Sequence, residues 1–555
     1  MKNFFFNMKK TRTFIVIFMI FLSSITFLSF DDNNDFELSK NLDIYYTLIR
    51  ELNLFYVDEI DFGALVEESI NKMLISLDPY TNYIPESRIE DYKFVTTGEY
   101  GGIGASVREE KDGIIITELY KDAPAMKYGL KTGDKILEID GKSTKKNDNY
   151  DISKILKGQV GTEVELLIER HTAEKVFTKK ILREKIVIDC VPYYNIIRDS
   201  LAYIKLTNFM GPAAASVGDA FKKLRDSIKL KGLILDLRGN PGGLLNEAVK
   251  IVNFFVEKGQ EVVSTKGRIK SWNKKYFTMI EPIDTIIPII VLINNNSASA
   301  SEIVAGAMQD LDRAVVMGEK SYGKGLVQNT RELTYNSILK LTIAKYYIPS
   351  GRCIQTLDYS HRNADGSVGK VPDSLISEFK TKNGRLVYDG GGIDPDIKIE
   401  EIKMEELTMA LLNKNIIFDY ATEFASKNKK IKDAKDFTIT DEDYKNFMDF
   451  AKSKNFSYET ELDKLLKMTM NKYDEDIKKE LSILQKKIEI KKEENFLSFK
   501  EQIKKIIENE IVSRFYFQNG RIEASLSFDK DIKKSYEIFN NLESYKNILS
   551  GKNKN

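Results

Sequence analysis

The sequence predicts a multidomain α/β protein, with a β-rich module inserted ahead of the α/β layer and helical regions on both flanks. Three observations predict it. The 555 residues exceed what one core can hold and suit three or four domains. Between Lys185 and Ile399, continuously apolar runs of strand length alternate with helical segments. On either side of that stretch the pattern changes, to short strands with Gly- and Asp-containing turns over 99–184 and to helical spacing after Glu400.

Residues 1–30 read as a signal peptide or membrane anchor. Lys2, Lys9, Lys10 and Arg12 precede an almost uninterrupted apolar run from Phe14 to Phe30. Its 17 residues reach the lower edge of a membrane span, and no small-x-small cleavage site precedes Asp31. The sequence therefore predicts export to the periplasm or cell envelope, with the segment cleaved or retained as an inner-membrane anchor. Residues 31–95 follow as a helical region, with Leu48, Ile49, Leu52 and then Leu65, Ile70, Met73, Leu74 at helical spacing, ending near Asp78-Pro79-Tyr80-Thr81.

Residues 96–184 carry the strands Ile114–Ile116, Lys135–Ile139 and Val164–Ile168. In 185–400, Leu233–Leu237 reads as a buried strand followed by a Gly-rich turn and a helix from Leu244 to about Glu257, and Ile286–Ile293 repeats that plan. Asp358–Asn383 is polar and reads as a loose loop or insertion. Residues 401–555 are rich in Lys, Glu and Asn, with Ile477, Leu481, Leu484 and Ile488 at helical spacing, and read as a solvated helical region. A formal net charge of +1 argues against a dedicated nucleic-acid binder. Cys190 and Cys353 are too few for a disulfide framework or a metal site and read as small buried hydrophobes; whether they pair is left open.

The chemistry concentrates in four motifs. Ser297-Ala298-Ser299-Ala300-Ser301-Glu302-Ile303 stands between the Ile286–Ile293 strand and an Ala/Gly/Met-rich helix, where helix N–H groups favour developing negative charge. A serine hydroxyl needs a base, and the only histidines, His171 and His361, lie in no comparable motif. Lys324, in Ser321-Tyr322-Gly323-Lys324-Gly325, is the best base on offer. Its ordinary pKa near 10.4 has to fall to about 7–8, a cost of about 3–5 kcal/mol that burial can supply. Ser297 is expected to precede the helix as a cap and Ser301 to lie in its first turn, leaving Ser299 as nucleophile. Asp236-Leu237-Arg238-Gly239-Asn240-Pro241-Gly242-Gly243 follows a strand and opens a helix without the lysine of a P-loop. The N–H groups of Gly242 or Gly243, with that of Ala300, suit an oxyanion. Gly101-Gly102-Ile103-Gly104 offers a nest for a carboxylate beside a groove that accepts a peptide as an added strand.

With Ala123-Pro124-Ala125, Gly129–Ile136 and Ile139-Asp140-Gly141 in order downstream, the glycine loop resembles a PDZ domain of the bacterial, circularly permuted type. That resemblance implies recognition of a free C-terminus. The whole set, with Gly318–Gln328 and Gly391–Ile397, resembles the carboxy-terminal processing (tail-specific) serine proteases of bacteria and plastids. The resemblance spans about Glu99 to Ile399. It implies a crotonase-like (ClpP/crotonase) core, Ser299 as nucleophile, Lys324 as general base, Gln328 positioning the lysine, and no metal or organic cofactor. It also implies that the partners are protein or peptide substrates; a homodimer built on the N-terminal helices and an adaptor protein are left open. Asp310 matches an acid of the family, but eleven residues of helix place it roughly 16 Å from Ser299. It is expected to be structural, paired with Arg313 or another cation. Two rivals stand beside this reading. A catalytically silent PDZ scaffold would not need the Ser/Lys/Gln set, and an acyl-CoA enzyme would not carry a PDZ domain.

Overall fold

The computed structural model describes residues 32–145, 155–170, 175–198, 200–363, 365–400, 403–470 and 475–552. The apolar N-terminal run lies outside them. The chain divides into two compact units, 1–79 and 80–555. In the first, a 24-residue helix, Asp32–Phe55, is followed by Phe62–Ile75, whose start is capped by Asp61 accepting from the N–H of Ala64 at 3.0 Å. Phe36, Leu38, Leu42, Tyr46, Leu54 and Phe55 on the long helix are all exposed. Among the described residues no helix is long and apolar enough to cross a membrane.

The second unit contains the β-rich module. Its main sheet runs Ala105–Glu110, Gly113–Leu119, Lys135–Ile139, Glu163–Glu169 and Phe177–Leu182, all antiparallel, with Ala105–Glu110 at one edge. Ile114, Ile116, Ile136, Val164, Leu166 and Ile168 form its core.

The α/β layer is a six-stranded sheet in the order Tyr193–Ile197, Leu201–Lys205, Gly232–Asp236, Ile289–Ile293, Val315–Gly318 and Ile397–Lys398. The first pairing is antiparallel and the rest are parallel. A central parallel strand buries both faces, which is why Leu233–Leu235 and Ile289–Ile293 read as unbroken apolar runs. Ala202, Ile204, Leu233, Leu235, Val291 and Ile293 point to one face, beneath the helices Ala213–Ser227, Leu245–Asn253 and Ala300–Asp310. Tyr203, Ile234, Ile290, Leu292, Val315 and Met317 point to the other.

That second face is covered from the far end of the chain. Leu526, Ile532, Ile538, Phe539 and Tyr545, on the end of the helix Lys500–Leu526 and on Lys530–Asn540 and Leu542–Leu549, pack against it. The Tyr545 hydroxyl accepts from the N–H of Ile289 at 2.9 Å. The region after Glu400 is thus more than a wet face. It has its own core around Leu411, Tyr420, Phe447, Ile503 and Ile507, and its last helices complete the α/β layer. Asp358–Asn383 also differs from the loose loop expected. Leu357–Arg362 pairs with Val368–Lys370, and Glu378–Lys380 with Leu386–Tyr388, as two short hairpins. A further sheet, Asn82–Ile84, Ile338–Tyr347, Glu261–Gly267 and Lys274–Phe277, takes Leu326–Glu332 onto its long strand.

Candidate active site

Three turns meet outside the carboxyl ends of adjacent parallel strands, where open α/β sheets bind ligands. They follow Gly232–Asp236, Ile289–Ile293 and Val315–Gly318, and they are the Asp236–Gly243, Ser297–Ile303 and Gly318–Gln328 motifs. Ser299 stands at the entry of the helix Ala300–Asp310 with φ 55° and ψ −112°, a conformation L-residues rarely adopt. Strain of this kind persists where the surroundings impose it. Here the N–H of Ser299 donates to Glu302 Oε2 at 2.7 Å, and its carbonyl accepts from Tyr346 Oη at 3.2 Å.

The neighbouring serines have other duties. Ser297 was expected to cap the helix, but Ser299 occupies that position. The Ser297 hydroxyl instead donates to Leu237 O and accepts from the N–H of Asn294, each at 2.9 Å, tying two strand ends together. Ser301 lies in the first helical turn, as expected, and donates to Asn240 O at 2.9 Å.

Glu302 joins the backbones of Ser299 and Lys324. Its Oε2 also accepts from the N–H of Lys324 at 2.9 Å, while Oε1 accepts from Gly323 N at 2.7 Å and Ser321 Oγ at 2.6 Å. One fully buried carboxylate thus holds the backbones of Ser299 and Lys324 in common. Gly323 has φ 86°, and a Cβ there would fall 1.7 Å from Thr356 Oγ1, so only glycine permits this approach. The Lys324 ammonium lies over the Tyr80 ring, 4.1 Å from its centre. The side chain of Gln328 donates to Thr342 Oγ1 at 3.1 Å, on the strand beside its own. Asp310 pairs with Arg352 at 2.8 Å, both wholly buried, while Arg313 instead donates to the carbonyls of Phe255 and Ile287.

The glycine turn lies against Ser299. A Cβ on Gly242 would come within 2.8 Å of both Ala300 N and Ser299 Cβ. The N–H of Gly242 already donates to Asn240 Oδ1 at 2.9 Å, which leaves the N–H groups of Gly243 and Ala300 as the candidates for the expected oxyanion donors. The wholly buried Asn240 also donates to Leu206 O and accepts, through its carbonyl, from Ala298 N at 3.1 Å. Asn240 and Glu302 were visible in the quoted motifs, but their role as buried clamps needed the fold. In the β-rich module, Gly101 and Gly102 pair with Lys185 and Glu184, and Ile103 and Gly104 line a groove of about 240 Å³ with Tyr100, Val107, Leu156 and Lys157. Cys190 and Cys353 are both free thiols.

Comparison with known proteins agrees with this geometry. Residues 200–361 match the description "Peptidase family S41", 101–181 match "PDZ domain", and 407–539 match "Probable PDZ-protease, C-terminal helical domain". A carboxy-terminal-processing protease of Bartonella bacilliformis is 36% identical over 353 residues, 63% of this chain and 78% of that protein. A probable CtpA-like serine protease of Staphylococcus aureus is 32% identical over 452 residues, 80% and 85% of the two chains. The chain belongs to the S41 family of carboxy-terminal-processing serine proteases. A solved structure described as photosystem II D1 C-terminal processing protease is 26% identical, covering 64% of this chain and 86% of that one, with a TM-score of 0.36, too low to compare the overall arrangement. The protease is thus a serine-type peptidase with a PDZ domain, and the helical region beyond Glu400 belongs to it as a matched domain.

Burial pushes the Glu302 carboxyl up to about 7 from an ordinary 4.5, against the pull of its four donors. A carboxyl raised on folding binds more protons folded than unfolded between those values, so its contribution to stability falls as pH rises through that window. The fall amounts to about 3 kcal/mol. Glu302→Gln should flatten this dependence in urea melts at pH 5 and pH 8. It also points an amide NH2 at N–H donors, orphaning at least one of them. At about 1–3 kcal/mol per orphaned buried donor, kcat should fall by one to two orders of magnitude. Unchanged kcat would show that the carboxylate does not hold the site.

Proposed function

We propose that the protease is an exported endopeptidase that cleaves proteins near their C-termini with a Ser299/Lys324 dyad. The observation that carries this reading is the shared Glu302 carboxylate, which fixes the backbone of the strained serine and that of the lysine at one point. Neutral Lys324 takes the Ser299 proton as Oγ bonds to the scissile carbonyl carbon, and the oxyanion faces Gly243 and Ala300. Protonated Lys324 then gives that proton to the departing amine, leaving an acyl-enzyme. Water attacks with Lys324 again as base, releasing a new C-terminal carboxylate and free Ser299. Gln328 is read as setting the strand from which the lysine loop departs, and the core as crotonase-like.

The PDZ domain supplies substrate recognition. Ala105–Glu110 is an edge strand to which an extended C-terminal segment can add, with an apolar groove beneath it. The apolar N-terminal run supports placement at the cell envelope, which fractionation would test. The exposed apolar side chains of Asp32–Phe55 support a homodimer, readable by light scattering.

The test uses an unfolded reporter ending in apolar residues, with its C-terminus free or amidated, and a fluorophosphonate probe. Labelling confined to Ser299 and cleavage at least about tenfold faster for the free terminus are expected, a factor of ten being about 1.4 kcal/mol of recognition. Absence of labelling with retained peptide binding would favour a silent PDZ scaffold.

A further inference from the structure

The motif Asp236–Gly243 is gripped from nearly 300 residues downstream. Arg238 donates through Nε and Nη2 to Asp236 Oδ1 and Oδ2 at 3.0 and 2.7 Å, a planar fork-to-fork pair. Its remaining donors go to the C-terminal helices, Nη2 to Asp529 Oδ2 at 2.7 Å and Nη1 to Asp531 Oδ2 at 2.8 Å. Asp529 is itself the N-cap of Lys530–Asn540, its Oδ1 accepting from the N–H groups of Asp531 and Ile532. The same helix reaches the other end of the strand. Phe539 lies against Gly232, where an added Cβ would meet its ring at 2.5 Å. Gly232–Asp236 is therefore held at both ends by one distant helix, and the glycine turn that follows it begins at Arg238.

We infer that Asp529 and Asp531 are positioning residues for the oxyanion turn, acting through Arg238. This rests on the proposed use of Gly243 and Ala300 by the Ser299 nucleophile. The turn has little freedom on its other side. Gly239 N donates to Asn294 Oδ1 at 2.8 Å, and Asn240 is bonded to the Ser299 elbow. A shift of Arg238 is thus passed to Gly242 and Gly243, next to Ser299. Asp236 is locked by five donors, Tyr203 Oη and Lys205 Nζ among them, and among the described residues the C-terminal carboxylates are the members of the cluster that arrive from beyond Glu400.

The test makes Asp529→Asn and Asp531→Asn, singly and together, in the full-length protease. Asparagine at 529 keeps a good helix cap while removing the charge. Each protein is assayed on a quenched peptide and with a peptide boronate, whose tetrahedral adduct places an oxygen in the oxyanion position. Losing one whole oxyanion donor costs about 10²–10³-fold, and displacing one should cost the double variant about 10–100-fold in kcat with KM unchanged. The boronate should weaken by the same factor, and Asp531→Glu should retain most activity. Wild-type kcat per folded molecule in the double variant, a change in KM alone, or a loss matching only the unfolded fraction would overturn the inference. Fluorophosphonate labelling of wild type at Ser299 is read first. Failure there sinks the dyad reading and is distinct from failure of the carboxylates.

Discussion

Ser299→Ala, Lys324→Ala and the double variant are each expected to lose about four to six orders of magnitude in kcat, with the double no worse than either single change. Residues that act as one unit lose nearly everything when either is removed. Lys324→Arg should be as inactive as Lys324→Ala, because a guanidinium does not give up its proton and cannot serve as base. Ser299→Ala should lower stability only by the cost of a lost helix cap, about 0.5–2 kcal/mol, since the strained backbone at this position is held by Glu302 and Tyr346 through main-chain atoms. Initial rates on an unfolded reporter with an apolar C-terminus measure all four. Equal cleavage by wild type and the two single variants would remove the mechanism.

Asp310→Ala should fail differently. It leaves Arg352 wholly buried with its charge uncompensated, and breaking a buried pair in this way costs about 3–5 kcal/mol. Asp310 also accepts from the N–H of Ser350 at 2.9 Å, and Arg352 reaches Gln309 Oε1 at 2.8 Å. Beside them Arg385 bonds Gln309 O at 2.8 Å and pairs with Asp312 and Asp396. Two arginines thus receive the carboxyl end of the helix Ala300–Asp310, where its dipole favours cations. The expected result is a large fall in the urea midpoint, with kcat per folded molecule kept within several-fold of wild type. A normal midpoint with lost kcat would make Asp310 a participant in the chemistry after all.

The contrast between Ser299 and Asp310 shows what the chain alone made legible. The strand-end turns carrying Ser299 and Lys324 could be placed from the sequence because small and glycine-rich motifs between apolar runs mark turns, and turns are local. The fate of Asp310 was half legible. Helical rise put it out of reach of Ser299, but its partner Arg352 lies 42 residues on and is brought in by the long sheet. The cover on the second sheet face was missed for a similar reason. Ile532, Ile538, Phe539 and Tyr545 are sparse among Lys and Asn, and they look like a weak helical stripe until the strands they cover are known. A signal was available on the other partner. An unbroken apolar strand such as Ile289–Ile293 requires a layer on each side, and the 185–400 segment supplies helices for only one. The charged helix Glu475–Ser498, by contrast, does have the solvated face expected, with Ile477 and Leu484 exposed.

The cover on the second sheet face also fixes how late in synthesis the α/β core can close. Until residues 526–549 have been synthesised, Tyr203, Ile234, Ile290 and Met317 lack the apolar cover that the fold gives them and Arg238 lacks two of its counter-ions. A nascent chain that stops short of these helices therefore leaves an apolar sheet face uncovered, the kind of transient surface that invites aggregation.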